Sequence, residues 1–219
     1  MPSFLNFLPD IQDILIGLPA IILSLMIHEL CHGFAAYKLG DSTAKYDGRL
    51  SLNPIKHIDP IGFICMILSG FRFGWAKPVM VNPRNLKNTK VDMALIAIAG
   101  PASNLIMAFV SMLIWYPLAY KFGLSSIISM VFITLCSTNI SLGIFNLLPI
   151  PPLDGSKIFA GLLPKNIYNR LPRLSSQTTM LIVMVLVFSG LLGTILTPLI
   201  YSVFGGMNWL VRLIYSPFF

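Results

Sequence analysis

His28-Glu29-Leu30-Cys31-His32 sets two imidazoles four positions apart with a carboxylate between them, inside the apolar run Leu23–Gly33. On a helix such positions share one face, so His28 and His32 can turn ring nitrogens toward a single ion. Glu29 sits one position round from that face, where it can take a proton from a water at the ion without ligating it. Zn2+ suits imidazole and carboxylate donors and brings the pKa of a bound water down to about 7. The chain has three histidines and a single glutamate, and two of those histidines and that glutamate stand here. A plainer alternative is two buried histidines satisfied by backbone carbonyls, with Glu29 paired to a lysine. In apolar surroundings ionisable groups are costly and functional by default, which favours the metal site.

A catalytic zinc takes three protein ligands, so a third donor is needed. The candidates are His57 and Asp154. His57 lies in a basic loop between Lys56 and Asp59 and reads as an interfacial or hydrogen-bonded loop histidine. Asp154 follows Pro149-Ile150-Pro151-Pro152-Leu153, where prolines end a helix and a carboxylate can project into the bundle. An aspartate before Gly155 also suits a cap or a turn. The residue chemistry leans to Asp154 and leaves His57 open. Cys31 lies off the shared histidine face.

The elements that must position these residues are apolar helices. Of 219 residues 56% are hydrophobic and 11% charged, against about 25% charged in a soluble domain. This is the composition of an integral membrane protein, and the length suits a single domain over 1–219. Net charge is +7. The basic residues are scattered in loops between apolar runs, which fits anionic headgroups and excludes a nucleic-acid partner. Cys31, Cys65 and Cys136 are odd in number, lie in apolar sequence, and read as free thiols.

A span needs about 20 apolar residues. Ile14–Tyr37, Val91–Leu118, Ile127–Leu148 and Met180–Phe204 qualify. Residues 1–10 read as an interfacial lead-in, 156–177 as a mixed basic stretch, and 207–219 as a short interfacial tail. The first run exceeds a signal-peptide core and carries the histidine motif, so no cleavable leader is expected. Ile58–Phe71 is apolar but short, and is expected to be re-entrant or half-buried. Gly48–Pro54 and Gly74–Pro83 alternate like small strands, with Pro78 suited to a sheet edge. The expected fold is an all-α polytopic membrane protein. It has about four full transmembrane helices, a re-entrant or half-buried segment and small membrane-associated β-strands.

If 58–71 does not cross, the nine basic residues of 38–90 share a side with Lys157, Lys165, Arg170 and Arg173, against Lys121 and Arg212 opposite. The positive-inside rule then makes the first side, and the histidine motif near it, cytoplasmic.

Three motifs together resemble the site-2 protease family: His28-Glu29-x-x-His32, Gly100-Pro101-x-x-Asn104, and Asn146-Leu147-Leu148-Pro149-Ile150-Pro151-Pro152-Leu153-Asp154-Gly155. They fall in that order on three separate spans, and the resemblance covers roughly residues 14–163. These are zinc metalloproteases that cut peptide bonds inside membranes. The resemblance implies one catalytic Zn2+ on His28, His32 and Asp154. Glu29 is implied to activate the zinc-bound water that attacks the scissile carbonyl. Asn146 and Asn104 are implied contacts of substrate or transition state. It also implies transmembrane protein substrates in a lipid bilayer, and the Gly48–Pro54 and Gly74–Pro83 segments resemble that family's β segments near the site. Cys31 stands where the family usually has a small residue, and no stretch is long enough for the PDZ or CBS domain that many members carry. The lack of a targeting run suits a bacterial plasma membrane. Two other classes compete, a membrane metal transporter and an inactive helix-binding scaffold. A transporter has no need of a non-ligating carboxylate beside the histidines, and an intact Glu29 with a full ligand set argues against a scaffold.

Overall fold

The computed structural model describes residues 11–70, 74–164 and 176–217. Among them the chain forms eight α-helices. These are α1 (Ile11–Lys38), α2 (Thr43–Tyr46), α3 (Pro60–Leu68), α4 (Thr89–Phe122), α5 (Ile127–Asn146), α6 (Asp154–Leu162), α7 (Ser176–Phe188) and α8 (Leu191–Tyr215). Residues 1–10, expected as an interfacial lead-in, lie outside the described residues.

Four helices are long and apolar enough to cross a membrane: α1 from Ile14, α4, α5 and α8. With 34 residues, α4 is about 51 Å long, well beyond a hydrocarbon core of about 30 Å. Its outer face carries Ile98, Ile106, Val110 and Ile114, all exposed, while its inner face is small and polar. The chain is a multi-pass membrane protein.

The inner faces follow a four-residue period. On α1 the buried positions include Ala20, Ser24, His28, His32 and Ala36, with Met26 and Gly33 buried beside that stripe. On α4 they include Asp92, Ile96, Gly100, Asn104 and Ala108. The two stripes face each other, and α5 packs against both. Close approach needs small residues, as in other membrane helix pairs. A Cβ added at Gly143 of α5 would stand 3.3 Å from the Pro101 carbonyl oxygen. An apolar core of Ala108, Met112, Cys136, Ile140, Ile144, Leu192, Leu196 and Val211 joins α4, α5 and α8.

Three expectations are corrected. Met180–Phe204 is not one span. Gly190 adopts a left-handed φ of 76°, which ends α7 at Phe188 and starts α8 at Leu191. The crossing helix then runs on to Tyr215 and includes Trp209 and Arg212, expected in a tail.

The second correction concerns the β-strands. Among the described residues Gly48–Pro54 and Gly74–Pro83 form none, and their region holds one isolated antiparallel bridge, Ile58 with Ala76. The backbone of 77–82 bonds to the His57 carbonyl through Lys77 N–H at 2.8 Å and otherwise mainly to side chains. Arg49 Nη2 donates to the Lys77 and Pro78 carbonyls at 2.6 and 2.8 Å. Val79 N–H donates to Glu29 Oε2 at 2.8 Å, and Asn82 N–H to Asp41 Oδ2 at 2.7 Å. Pro78 has no N–H to give to a ladder. These residues form a strap over the end of α1. Gly48, at φ 65°, and the Asn53-capped turn at Pro54–Lys56 likewise break the other alternating stretch. The short apolar stretch at 58–71 contains the nine-residue helix α3, and nothing in the described residues gives it a re-entrant path.

Candidate metal centre

His28 and His32 lie one turn apart on the buried stripe of α1, and both are buried. Asp154, also buried, is the first residue of α6, where the helix dipole favours a carboxylate. The helix starts there because Pro151 and Pro152 stop the chain from continuing α5. Asp154 Oδ2 lies 3.1 Å from His28 Nε2 and 3.0 Å from His32 Nε2, and the two Nε2 atoms are 3.0 Å apart. The rings are edge to face, with centroids 4.6 Å apart. Lys157 Nζ, one turn into α6, lies 3.3 Å from Asp154 Oδ1.

The tautomers follow from the other ring nitrogens. His32 Nδ1 is 2.7 Å from the Ile96 carbonyl oxygen, an acceptor only, so Nδ1 carries the proton. His28 Nδ1 is 2.6 Å from Asn104 Oδ1. Asn104 Nδ2 donates to Ser24 O and to Asn139 Oδ1 at 3.2 and 2.8 Å. Asn139 Nδ2 in turn donates to the Leu135 carbonyl and to Ser24 Oγ, each at 2.8 Å. Ser24 Oγ–H donates to Ala20 O. The carbonyls of Leu135 and Ala20 anchor the direction of every bond in this network, which leaves Asn104 Oδ1 to accept from His28 Nδ1–H. Both Nε2 atoms therefore present lone pairs, facing each other and a carboxylate oxygen. Three acceptors within about 3 Å repel unless a cation lies between them. Two imidazoles and one carboxylate are the donor set of a catalytic zinc, so the residues fit the ion.

Of the candidate site residues, the structure brings His28, His32 and Asp154 together, and no other residue joins them in a metal-binding group among the described residues. His57 is elsewhere. It is buried, its Nε2–H donates to Ser51 O at 2.8 Å, and its carbonyl accepts from Lys77 N–H. It ties down the strap. Cys31 is a free, half-buried thiol outside the donor group. Glu29 is half-buried, with Oε2 on Val79 N–H. Asn104 is fully buried beneath His28. Asn146 is half-buried at the end of α5, with Nδ2 donating to Leu142 O.

The sequence assigns no role to Ser24, and places Asn139 only on the same face of its span as Asn146. Ser24 is one turn before His28 on the same face, and Asn139 is a polar residue inside an apolar helix. Those two signals were legible but do not single either residue out. Two motif glycines gain a reason. A Cβ at Gly100 would stand 2.7 Å from His28 Cε1 and closer still to His32 Nε2. A Cβ at Gly155 would collide with the Leu147 and Leu148 carbonyl oxygens.

Apolar crossing helices thus enclose two imidazoles and a carboxylate whose chemistry suits a membrane-embedded metalloenzyme. The family model described as Peptidase family M50 matches residues 118–190. The chain is 41% identical over 162 residues to "Putative zinc metalloprotease YwhC" of Bacillus subtilis, covering 71% of this chain and 73% of that protein. It is 32% identical over 159 residues to "Putative zinc metalloprotease MJ0611" of Methanocaldococcus jannaschii, covering 71% and 74%. It is 29% identical over 141 residues to "Putative zinc metalloprotease Rip2" of Mycolicibacterium smegmatis, covering 61% of this chain and 52% of that protein. No solved structure matches it significantly. The chain belongs to peptidase family M50, the site-2 protease family, and is a zinc metalloprotease of that family.

Proposed function

We propose that this protease hydrolyses peptide bonds in or near transmembrane segments of membrane-protein substrates. In this reading His28, His32 and Asp154 hold one Zn2+ and Glu29 is the general base. The observation that carries it is the convergence of two Nε2 lone pairs and a carboxylate oxygen within about 3 Å, with the only glutamate of the chain beside them. The ion, when bound, supplies Lewis acidity that polarises the scissile carbonyl and acidifies water.

The chain's own residues do the rest. Asn104 fixes the His28 tautomer, and Ile96 O fixes that of His32. Val79 N–H holds Glu29 Oε2, leaving Oε1 to take the proton of the attacking water and later to pass it to the leaving amine. Asn146, with its amide near the end of α5, is the side chain that contacts the substrate, while Asn104 acts through His28. Support for a membrane substrate comes from an apolar cleft of about 550 Å³ bordered by Leu25, Met66, Ser141, Leu142, Phe145 and Leu196. The cleft is bordered by α1 and α5, the helices that carry Glu29 and Asn146, so a substrate helix lying there would run alongside the elements of the site. The whole chain acts as one domain, and its basic loops put the site toward the cytoplasm.

The test compares the purified protein with Glu29→Gln for bound zinc and for cleavage of single-span substrates in detergent. Zinc is expected in both, with cleavage reduced by about 10²–10⁴-fold in the variant, the range for a lost general base. A variant that cleaves as fast as the parent sinks the assignment of Glu29.

A further inference from the structure

The strap that replaces the expected strands meets the site at one peptide group. The carbonyl oxygen of Pro78 accepts from Arg49 Nη2 at 2.8 Å, and the N–H of Val79, the other end of the same peptide, donates to Glu29 Oε2 at 2.8 Å. A guanidinium and a carboxylate are thus joined through a single amide. Hydrogen bonds linked through one group polarise it and strengthen one another. Arg49 is buried, and among the described residues no carboxylate lies within ion-pair distance of it. A buried cation without a counterion is costly, yet this one is satisfied by the Lys77 and Pro78 carbonyls of the strap. Asp41, also fully buried, holds the far end through Asn82 N–H and Asn85 Nδ2 at 2.7 Å each. The strap is therefore pinned on both sides of Val79, and the one group between the pins that reaches into the site is the Val79 N–H.

We infer that Arg49 is a positioning residue for Glu29, acting through the Pro78–Val79 peptide group. This rests on the reading of Glu29 as the base. With Arg49 in place the peptide is held with its N–H toward α1, and the Glu29 carboxylate is held in one rotamer with Oε1 toward the reacting water. Without it the peptide can turn about its flanking bonds, and the carboxylate loses its fixed partner. The bound metal is untouched, because no bond of Arg49 involves His28, His32 or Asp154. Both bonds come from the one nitrogen Nη2, so a lysine ammonium can replace them in part, without the planar, rigid placement of the guanidinium.

The experiment measures kcat, KM and bound zinc for wild type, Arg49→Ala, Arg49→Lys, Val79→Pro, Val79→Ala, Glu29→Gln and the double variant Arg49→Ala/Val79→Pro. Val79→Pro removes the N–H, whereas Val79→Ala keeps it. Arg49→Ala and Val79→Pro should each lower kcat by about 10–10²-fold, as expected when a catalytic group is misplaced by up to an ångström. KM and zinc content should stay at wild-type values, Arg49→Lys should be intermediate, and Val79→Ala, which keeps the N–H, should lose less kcat than Val79→Pro. The double variant should be no slower than Val79→Pro alone, since both changes break one link. Full multiplication of the two effects overturns the inference. Hydrogen exchange at residues 79–82 supplies a readout independent of how well the proline variant folds. Arg49→Ala should lose protection there while α1 keeps it, and unchanged protection overturns the inference. Glu29→Gln separates the two levels. A Glu29→Gln enzyme as active as wild type overturns the base and this inference with it. An inactive Glu29→Gln beside an Arg49→Ala enzyme of wild-type kcat overturns this inference alone.

Discussion

Gly100→Ala adds one methyl group to α4 where that helix passes under the two histidines. The added carbon would stand 2.7 Å from His28 Cε1, whereas carbon atoms rest at about 3.5–4.0 Å. The His28 ring, or α4 itself, must therefore retreat by about 0.8 Å. Ligand distances at a working metal site hold within about ±0.2 Å, so the displacement is roughly fourfold larger than the site tolerates. Neither ring has a free direction of retreat, since His28 Nδ1 is bonded to Asn104 and His32 Nδ1 to Ile96 O. Alanine is better than glycine in a helix by about 0.5–1 kcal/mol, but overpacking a closed interior costs about 1–3 kcal/mol, and here the second effect wins.

Zinc affinity is expected to fall at least tenfold, the lower end of what loss of a ligand's support costs. Activity under saturating zinc should fall about 10²-fold. Competition against a chelator of known affinity measures the first, and cleavage of a single-span substrate the second. Thermal unfolding with and without zinc shows whether the fold survives. Gly17→Ala is the control, because a Cβ there meets nothing within 4 Å, and it should bind zinc like the parent. Unchanged zinc affinity in Gly100→Ala would refute the reasoning, since it would mean the rings can move without loss of the site.

Two further predictions concern groups outside the donor set. Asn139→Leu removes the amide that directs Asn104, so His28 loses its fixed tautomer. Zinc affinity should drop about tenfold, with a stability loss of about 1 kcal/mol, and equal affinity in chelator competition would count against the relay. Asp41 is held below the usual carboxylate range: burial pushes it up, but bonds from Thr43, Asn85 and Asn82 outweigh that. A depressed carboxyl stabilises the fold above its unfolded value of about 3.9, and that contribution is lost as pH falls through the folded value. Asp41→Asn should therefore melt below wild type at about pH 7, with the gap narrowing as the pH is taken below about 4. A gap that is constant across this range would contradict it.

The residues that meet around the candidate ion were legible because they are scarce. A chain with three histidines and one glutamate leaves little choice of donors, and a four-residue spacing reads the same on any helix. The crossing helices α1, α4 and α5 were legible for a similar reason, since length and apolarity act over many residues at once. The break at Gly190 was not, because one left-handed glycine inside a continuous apolar run leaves no mark in its hydropathy. The strap was misread for a more general reason. Alternation of side chains along 74–83 reports an extended backbone and says nothing of what its N–H and C=O groups bond to. Besides the His57 carbonyl, their partners are the side chains of Glu29, Arg49 and Asp41, which lie 28–50 residues away in sequence.

That substitution of side chains for a ladder also changes what the glutamate is. The Val79 N–H donates to Glu29 Oε2 and not to a strand. Here the carboxylate is a structural partner of the strap as well as the proposed base, so the geometry of the base and that of the strap are set together. The same economy runs through α1. Ser24, His28 and His32 share one buried stripe with the alanines that let α4 come close. Gly100 provides the clearance, Asn104 the hydrogen bond, and Ile96 the second carbonyl, all from one face of α4. Two facing stripes of small and polar residues thus carry both the packing of the bundle and the orientation of the two histidines, and a change that loosens either should show in zinc binding before it shows in the fold.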